Sequence, residues 1–573
     1  MTDYNFGIVN QLEFLRDEAN KQFQQVEASV KEAIYWTMPH RLPYLTGEHH
    51  GRRNNHHIVD PTHIIAQRSY VAGFLEGNTS ASRAWIKWQH PDPLINKIDR
   101  VRRWMDKFND RCTANAQDSN LYLCLGEFYY EYSSANTGVL FKESRNGKMF
   151  WTVLPAGSYR LLMGPDGRAN VLIYQRTMSV KMVVEEYGQY DENGKCDWSI
   201  FSDKVKNAYE CGKYSEEIEV VTTVMPNRLF NEKMAELGKN RKVVAITYES
   251  LRQSRVTGYD PMGGRYQAPK KADGTDRVLR TGYFKNQPFI AGKNSGGMFP
   301  YGERGPTTES LGLIKANNRR RLKQDKAIDQ MVDPSTYGPA SIRKSYISTN
   351  PNVHMPLSDS EMKMGGIKRL FEINPAIGAL IQDTQDERGL INKLYYQDFL
   401  LYLSQNQKTR TAEEVRAIDN EKQLVVGPNF QSLNWTLNLP LANLIAEWTL
   451  ENDPYMEPPP PELGGQSIQP TFISLFAQAQ KSADLPNIQT FLNMILGMAP
   501  INQEILLKLD TEVLADIYSD RLFLPYGLVR SKESVDAIKE QMQNEMRRQQ
   551  QLETIQTAAG AAKDLGIKQG AKA

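Results

Sequence analysis

Six of the eight histidines, His40, His49, His50, His56, His57 and His63, fall within one short stretch of the 573-residue chain. Imidazoles at that density are the residue type a zinc or other transition-metal site uses, so a metal-dependent nuclease is one reading of the cluster. The surrounding "GEHHGRRNNHH" is polar and rich in Gly and Asn, its nearby carboxylates are Glu48 and Asp60, and no cysteine stands in it. A solvated loop is therefore the preferred expectation, and no metal or other cofactor is assigned. The second group that could do chemistry is cationic. Lys315, Arg319, Lys323 and Lys326 recur at the spacing of one helix face, with Arg320 and Arg321 beside them. Such a stripe can face phosphates; a solvated face neutralised by Asp325 and Asp329 is the alternative. No aromatic residues interleave with it, so base stacking is not expected. Lys408, Arg410 and Arg416 form a third set, in the polar break "SQNQKTRTAEEVRA" between two helical segments.

Enzymatic signatures are missing. No GxxxxGK[ST] loop, GxGxxG, GxSxG or HExxH occurs. The adjacent pairs Glu185/Glu186 and Glu413/Glu414 point to different sides of a helix and do not converge as a general acid and base would. No catalytic residue is expected.

The elements that must position these residues follow from length and pattern. The chain is long enough for two to four sub-domains. Lys plus Arg number 69 against 67 Asp plus Glu, a balance that excludes coating of nucleic acid by net charge and leaves only local basic surfaces. Cys112, Cys124, Cys196 and Cys211 are far apart, which fits a reducing compartment and packing roles. No apolar run reaches the ~18 to 20 residues of a membrane span, and the charged, amphipathic N-terminal segment has no signal-peptide core, so a cytosolic product is expected.

Helices are predicted over 8–38, 58–77 and 93–125, with Gly77 and Asn78 as a left-handed stop for the second. From 138 to 224 the pattern turns to strands: "VLFKES", "KMFWTVL", "YRLLM" and "NVLIYQRT", the last two joined by a "GPDG" turn, with further strands at 243–248 and 278–284. Two long helices follow, at about 306–332 and 374–403, each a rod of roughly 40 Å or more, separated by a segment of low helical character. Another helix is expected from Thr411, where Thr411 and Glu414 can form a capping box. A stiff proline linker at "ENDPYMEPPPPELGG", a helical region to Tyr518 and a Gln-rich, helix-prone tail complete the chain. The fold class is α+β, mainly helical.

Four stretches in order, 58–88, 154–188, "YGERGPTTESLGLIKANNRRRLKQDKAIDQMVDPS" and "TRTAEEVRAIDNEKQLVVGPNFQSLNWTLNLPLANLI", resemble the portal, or head-to-tail connector, proteins of tailed bacteriophages, most closely those of short-tailed phages. The histidine-rich loop and the proline run at 458–461 depart from that pattern. The resemblance implies a cyclic dodecamer at one capsid vertex of the virion, a conduit for double-stranded DNA during packaging and ejection. It implies an α/β wing at 1–305, stem helices at 306–332 and 374–403, a clip at 333–373, and a channel loop at 404–410. It further implies a long helix returning to the wing at 411–452, a crown at 453–530, and a barrel helix or flexible tail at 531–573. The implied partners are terminase, a tail adaptor, the major capsid protein, scaffolding and internal core proteins, with no membrane. A tail adaptor or another virion ring protein is the alternative within the class. Lys408, Arg410 and Arg416 are the expected channel residues, with Lys315, Arg319 and Lys323 second.

Overall fold

The computed structural model describes residues 2–47, 55–92, 94–145, 147–188, 190, 194, 196–198, 201, 203–226, 254–259, 278–284, 286–294, 297–332, 336–337, 359–363, 365, 368–369, 377–398, 400, 429–463, 468–473, 485–498, 514 and 538–549. The chain divides into two compact units, Met1–Lys87 with Lys107–Pro458, and Trp88–Asp106 with Pro459–Ala573. Among the described residues no helix is long and apolar enough to cross a membrane.

The first unit is a mixed α+β body. Helix α1 (Thr2–Thr37) buries Leu15, Ala19, Phe23, Val30 and Ile34, which share one face at helical spacing. Helix α2 (Thr62–Asn78) follows, then α3 (Asp99–Asp118) and α4 (Leu121–Ala135). The sequence pattern predicted one helix over 93–125. The break falls at Asn120 because its side chain turns to a strand backbone, accepting from Trp151 N and donating to Trp151 O, both at 2.8 Å. The expected left-handed stop after α2 is also absent: Asn78 is the last helical residue, Thr79 is extended, and both side chains bond the Tyr129 hydroxyl at 3.0 Å.

Strands β1 (Thr137–Arg145), β2 (Lys148–Leu154) and β8 (Phe289–Lys293) form a three-stranded antiparallel sheet in the order β2-β1-β8. Strands β3 (Tyr159–Met163), β4 (Ala169–Ser179), β5 (Glu217–Pro226), β6 (Ser254–Tyr259) and β7 (Val278–Phe284) form a second antiparallel sheet in that order. The predicted hairpin at "GPDG" is present, and β7 spans the predicted residues. The predicted strand at 243–248 lies outside the described residues. One apolar core joins the two sheets: Val139, Phe141, Leu154 and Phe289 from the first meet Tyr159, Leu161, Leu172, Tyr174 and Val224 from the second, with Phe23 of α1 among them.

Two glycines show how closely α4 approaches. Gly138 and Gly292 are register partners on β1 and β8, and a Cβ on either would stand 2.7 or 2.5 Å from the Phe128 ring. The missing side chains leave the opening in the sheet that Phe128 fills. A small lobe grows from the ends of β4 and β5. Its helices α5 (Val180–Tyr187) and α6 (Asp203–Glu210) close a core of their own around Val183, Val184, Phe201, Val205 and Ile218.

Helix α7 (Pro306–Val332) matches the first predicted rod, its 27 residues spanning about 40 Å. Within the second predicted rod, helix α8 covers Ile377–Leu394, 18 residues or about 27 Å, and is interrupted where Tyr396 takes a left-handed φ of 55°; 397, 398 and 400 are helical again, while 374–376, 399 and 401–403 lie outside the described residues. The returning segment is helical at 429–433, widens to a π-turn at Asn434–Asn438, and continues as α9 (Leu439–Asn452). Asp453 closes α9, accepting from Arg111 Nε and Nη2 at 2.7 and 3.0 Å and from Asn115 at 2.8 Å.

In the second unit Trp88, Val101, Trp104 and Met105 are buried, and Arg100 pairs with Glu462 at 3.4 Å. Helix α10 (Leu485–Met498) and a helix at 538–549 lie in the predicted C-terminal helical regions.

Candidate nucleic-acid interface

The histidines come first, because the fold decides against a common metal. His57 lies face to face on Tyr35, centroids 3.7 Å apart, with Nε2 on the Tyr35 carbonyl at 2.7 Å. His63 is fully buried on α2 with Nε2 on the Trp36 carbonyl at 2.9 Å, and burial pushes its pKa down. These two rings fasten the end of α1 to the start of α2, which corrects the expectation of a solvated loop for His57, while His63 lies on a helix as the pattern over 58–77 predicts. His40 and His56 are exposed, while His49 and His50 lie outside the described residues. Among the described residues no group of three His, Cys, Asp or Glu could hold a metal ion.

The basic helix is different. Its inward side buries Ile314 and carries several polar groups bonded to neighbouring elements. Asn318 Oδ1 accepts from the backbone N–H groups of Val59 and Asp60, at 2.8 and 3.0 Å, and Gln324 donates to Thr384 Oγ1 at 2.6 Å. Thr307 Oγ1 and the Tyr395 hydroxyl are 2.7 Å apart. Arg320 meets Asp383 at 2.5 Å and Glu387 at 2.8 Å, tying α7 to α8. From α8, Arg388 Nη2 reaches the buried Asp60 at 2.5 Å, so both long helices are fixed to the turn before α2. Burial alone would raise the Asp60 pKa, but hydrogen bonds from Thr62 and Arg388 outweigh it and hold the carboxyl below its usual range.

These contacts divide the cations. Lys315 pairs with Glu32 of α1, and Arg321 with Asp325 at 3.3 Å. Arg319, Lys323 and Lys326 are exposed and have no ion-pair partner among the described residues. They stand on one helix face over about 10 Å, roughly the rise of three base pairs. The predicted stripe thus resolves into one tethered lysine and three outward cations. Asp325, expected to neutralise the stripe, is engaged with Arg321 instead.

Lys408, Arg410 and Arg416, and the capping pair Thr411 and Glu414, lie outside the described residues. The segment's two ends are well defined. Leu400 is buried against Gly73 of α2, where a Cβ would come within 2.6 Å of its side chain. On the return, Asn429 Nδ2 donates to the Tyr396 hydroxyl at 2.6 Å. Ser432 Oγ donates to the Lys293 carbonyl at 2.9 Å, and Asn438 exchanges amide bonds with Asn78 at 2.8 and 3.0 Å. Tyr396 and Asn429 are therefore neighbours within the first unit.

Sequence reasoning missed the fasteners: Asp60 with Arg388, Asn318 with the 59–60 backbone, and Tyr396 with Asn429. The available signal was the pair Asn317 and Asn318, amides placed on the side of α7 that the pattern assigns to the interior.

Comparison with known proteins covers nearly the whole chain. The family model described as bacteriophage head to tail connecting protein matches residues 9–529. The portal protein of Salmonella phage epsilon15 is 28% identical over 519 residues, covering 90% of this chain and 87% of that relative. The probable portal protein of Bordetella phage BPP-1 is 26% identical over 527 residues, covering 91% and 89%.

Proposed function

The chain belongs to the family of bacteriophage head-to-tail connecting proteins, and from that premise we propose that it forms a ring of twelve subunits at one capsid vertex, through which double-stranded DNA enters and leaves. As a phage portal protein it is a structural virion component that links head and tail, and not an enzyme. The finer reading is that of a short-tailed phage. Residues 1–305 are the wing, 306–332 and 374–403 are the stem helices, and 333–373 is the clip on which terminase and a tail adaptor dock. Residues 404–410 are the channel loop, 411–452 return to the wing, and 453–530 with 531–573 make the crown and barrel. The major capsid protein and the scaffolding or core proteins contact the ring from outside and within the head.

The outward face of α7 is the observation that carries the DNA contact. Arg319, Lys323 and Lys326 keep their charge available while the other side of the helix is locked in place. Cations repeated around a ring attract phosphate oxygens without reading bases, so contacts exchange as the duplex slides. Lys408, Arg410 and Arg416 would extend the same surface into the channel. Lys315, held by Glu32, is the weakest member of the set.

The test uses the full-length protein in phage assembly. Arg319→Ala/Lys323→Ala/Lys326→Ala and Lys408→Ala/Arg416→Ala variants are expected to give normal rings with an axial hole in electron micrographs but particles that retain less DNA. Normal retention in both variants would overturn the channel assignment. Failure of the wild-type protein to form rings would overturn the portal assembly itself.

A further inference from the structure

Among the described residues, the small lobe on β4 and β5 carries an exposed apolar surface. Met182 is 54% exposed, Tyr190 54% and Tyr214 45%. They belong to one surface. The Tyr214 carbonyl accepts the Lys181 N–H at 3.3 Å, which sets Tyr214 beside Met182. The Tyr214 ring stands edge-on to Tyr209 at 5.1 Å, and Tyr209 contacts Trp198 at 5.4 Å. Tyr190 bridges to Cys196, two residues from Trp198. Tyrosine, tryptophan and methionine are the side chains that dominate protein interfaces, since they offer large contact area for little conformational entropy.

Charge around this surface says what would cover it. Glu185, Glu186, Asp197, Asp203, Glu210 and Glu217 are exposed on the lobe, and over 180–217 nine acidic side chains stand against five lysines. Lys181 faces Glu185 at 3.8 Å, Lys206 faces Glu210 at 3.9 Å and Arg176 meets Glu186 at 3.1 Å, and the net charge of the lobe is still negative. DNA is excluded by this sign of charge. A guanidinium satisfies both halves of the surface, stacking on tyrosine faces and pairing with carboxylates.

We propose that the lobe is a docking site for an arginine- and lysine-rich segment of a partner protein, with Tyr190, Tyr214 and Met182 as the apolar anchors and Glu185 and Glu217 as the charged rim. The lobe has its own core and needs only to stay folded for the site to exist. This inference is independent of the DNA-facing role of α7.

A dye-labelled peptide alternating Arg and Leu, titrated into the full-length protein and followed by fluorescence anisotropy, tests it. Binding should saturate and weaken as salt rises. Tyr190→Ser/Tyr214→Ser should reduce affinity by about tenfold. Glu185→Gln/Glu217→Gln should reduce it severalfold and flatten the salt dependence. All four side chains are exposed or at the rim, and unchanged circular dichroism and ring formation establish that the variants are folded. Equal affinity for a peptide alternating Glu and Leu, or unchanged affinity in both double variants, would overturn the proposal.

Discussion

Where the two sheets meet, the contact is hydrocarbon: Phe141 and Phe289, paired across β1 and β8, pack with Leu161, Leu172 and Val224 of the facing sheet. Where α7 meets α8 and the turn before α2, the contact is largely polar, made by Gln324 with Thr384, Arg320 with Asp383 and Glu387, and Arg388 with Asp60. The two kinds of joint differ in what they supply. Apolar burial contributes stability roughly in proportion to area and specifies little about geometry. A hydrogen-bonded ion pair contributes less net free energy, because desolvation offsets much of the attraction, but it allows only one register. The sheet body is therefore what keeps the first unit folded, while the polar joint fixes where the long helices stand.

Cutting the apolar joint should have the largest effect. Phe289→Ala removes a side chain 1% exposed from the shared core and is expected to cost about 3–5 kcal/mol, read as a large fall in the denaturation midpoint. A loss under about 1 kcal/mol would mean that the sheets do not depend on this core.

A buried carboxyl beside the sheets sharpens the contrast. Glu131 of α4 is fully buried, accepts from Ala156 N at 3.1 Å, and has Arg41 Nε 3.6 Å away, while Arg41 also serves Glu127 at 2.7 Å. Burial pushes its pKa from the ordinary 4.5 up to about 7, with Arg41 opposing in part. The folded protein then holds a proton that the unfolded chain has released. Stability should be full below about pH 4.5 as far as this group is concerned, and should decline as pH rises toward 7. Glu131→Gln should flatten that slope, by up to roughly 3 kcal/mol across the window. Thermal melts at pH 5 and 7.5 for both proteins check it; parallel curves would show that Glu131 is ionised without penalty.

Cutting the polar joint should cost less. Asp60→Ala leaves Arg388 without its carboxylate, but Arg388 is 38% exposed and can turn to water, so about 1–3 kcal/mol is expected. The Asp60 pKa is depressed, so its contribution is present above the ordinary carboxylate range and is lost as pH falls through the lower native value. Asp60→Asn/Arg388→Met should recover much of the loss. If Asp60→Ala destabilises as much as Phe289→Ala, the distinction between the two joints fails.

The same distinction explains what was legible in the sequence. Strands with alternating or continuous apolar runs, such as "YRLLM" and "KMFWTVL", appear at the predicted residues, because their pattern reports the core they face. The breaks that a pattern cannot carry were missed. Asn120 ends a helix by bonding to Trp151, 31 residues away, and the second rod is interrupted after Leu394, where Tyr395 and Tyr396 bond to Thr307 and Asn429. His57 read as part of a solvated loop, yet its ring stacks on Tyr35 and bonds to a carbonyl of α1. Of the candidate interface, the helix α7 and the spacing of its cations were legible. That Lys315 and Arg320 would be spent on Glu32, Asp383 and Glu387 was not, since those partners come from distant segments.

The tie between Tyr396 and Asn429 has a mechanical consequence. It holds the end of α8 beside the start of the returning helix, 33 positions further along the chain. A displacement of α8 is therefore passed to the returning helix through a hydroxyl–amide contact, and α8 and the helix that leads into α9 are expected to shift together.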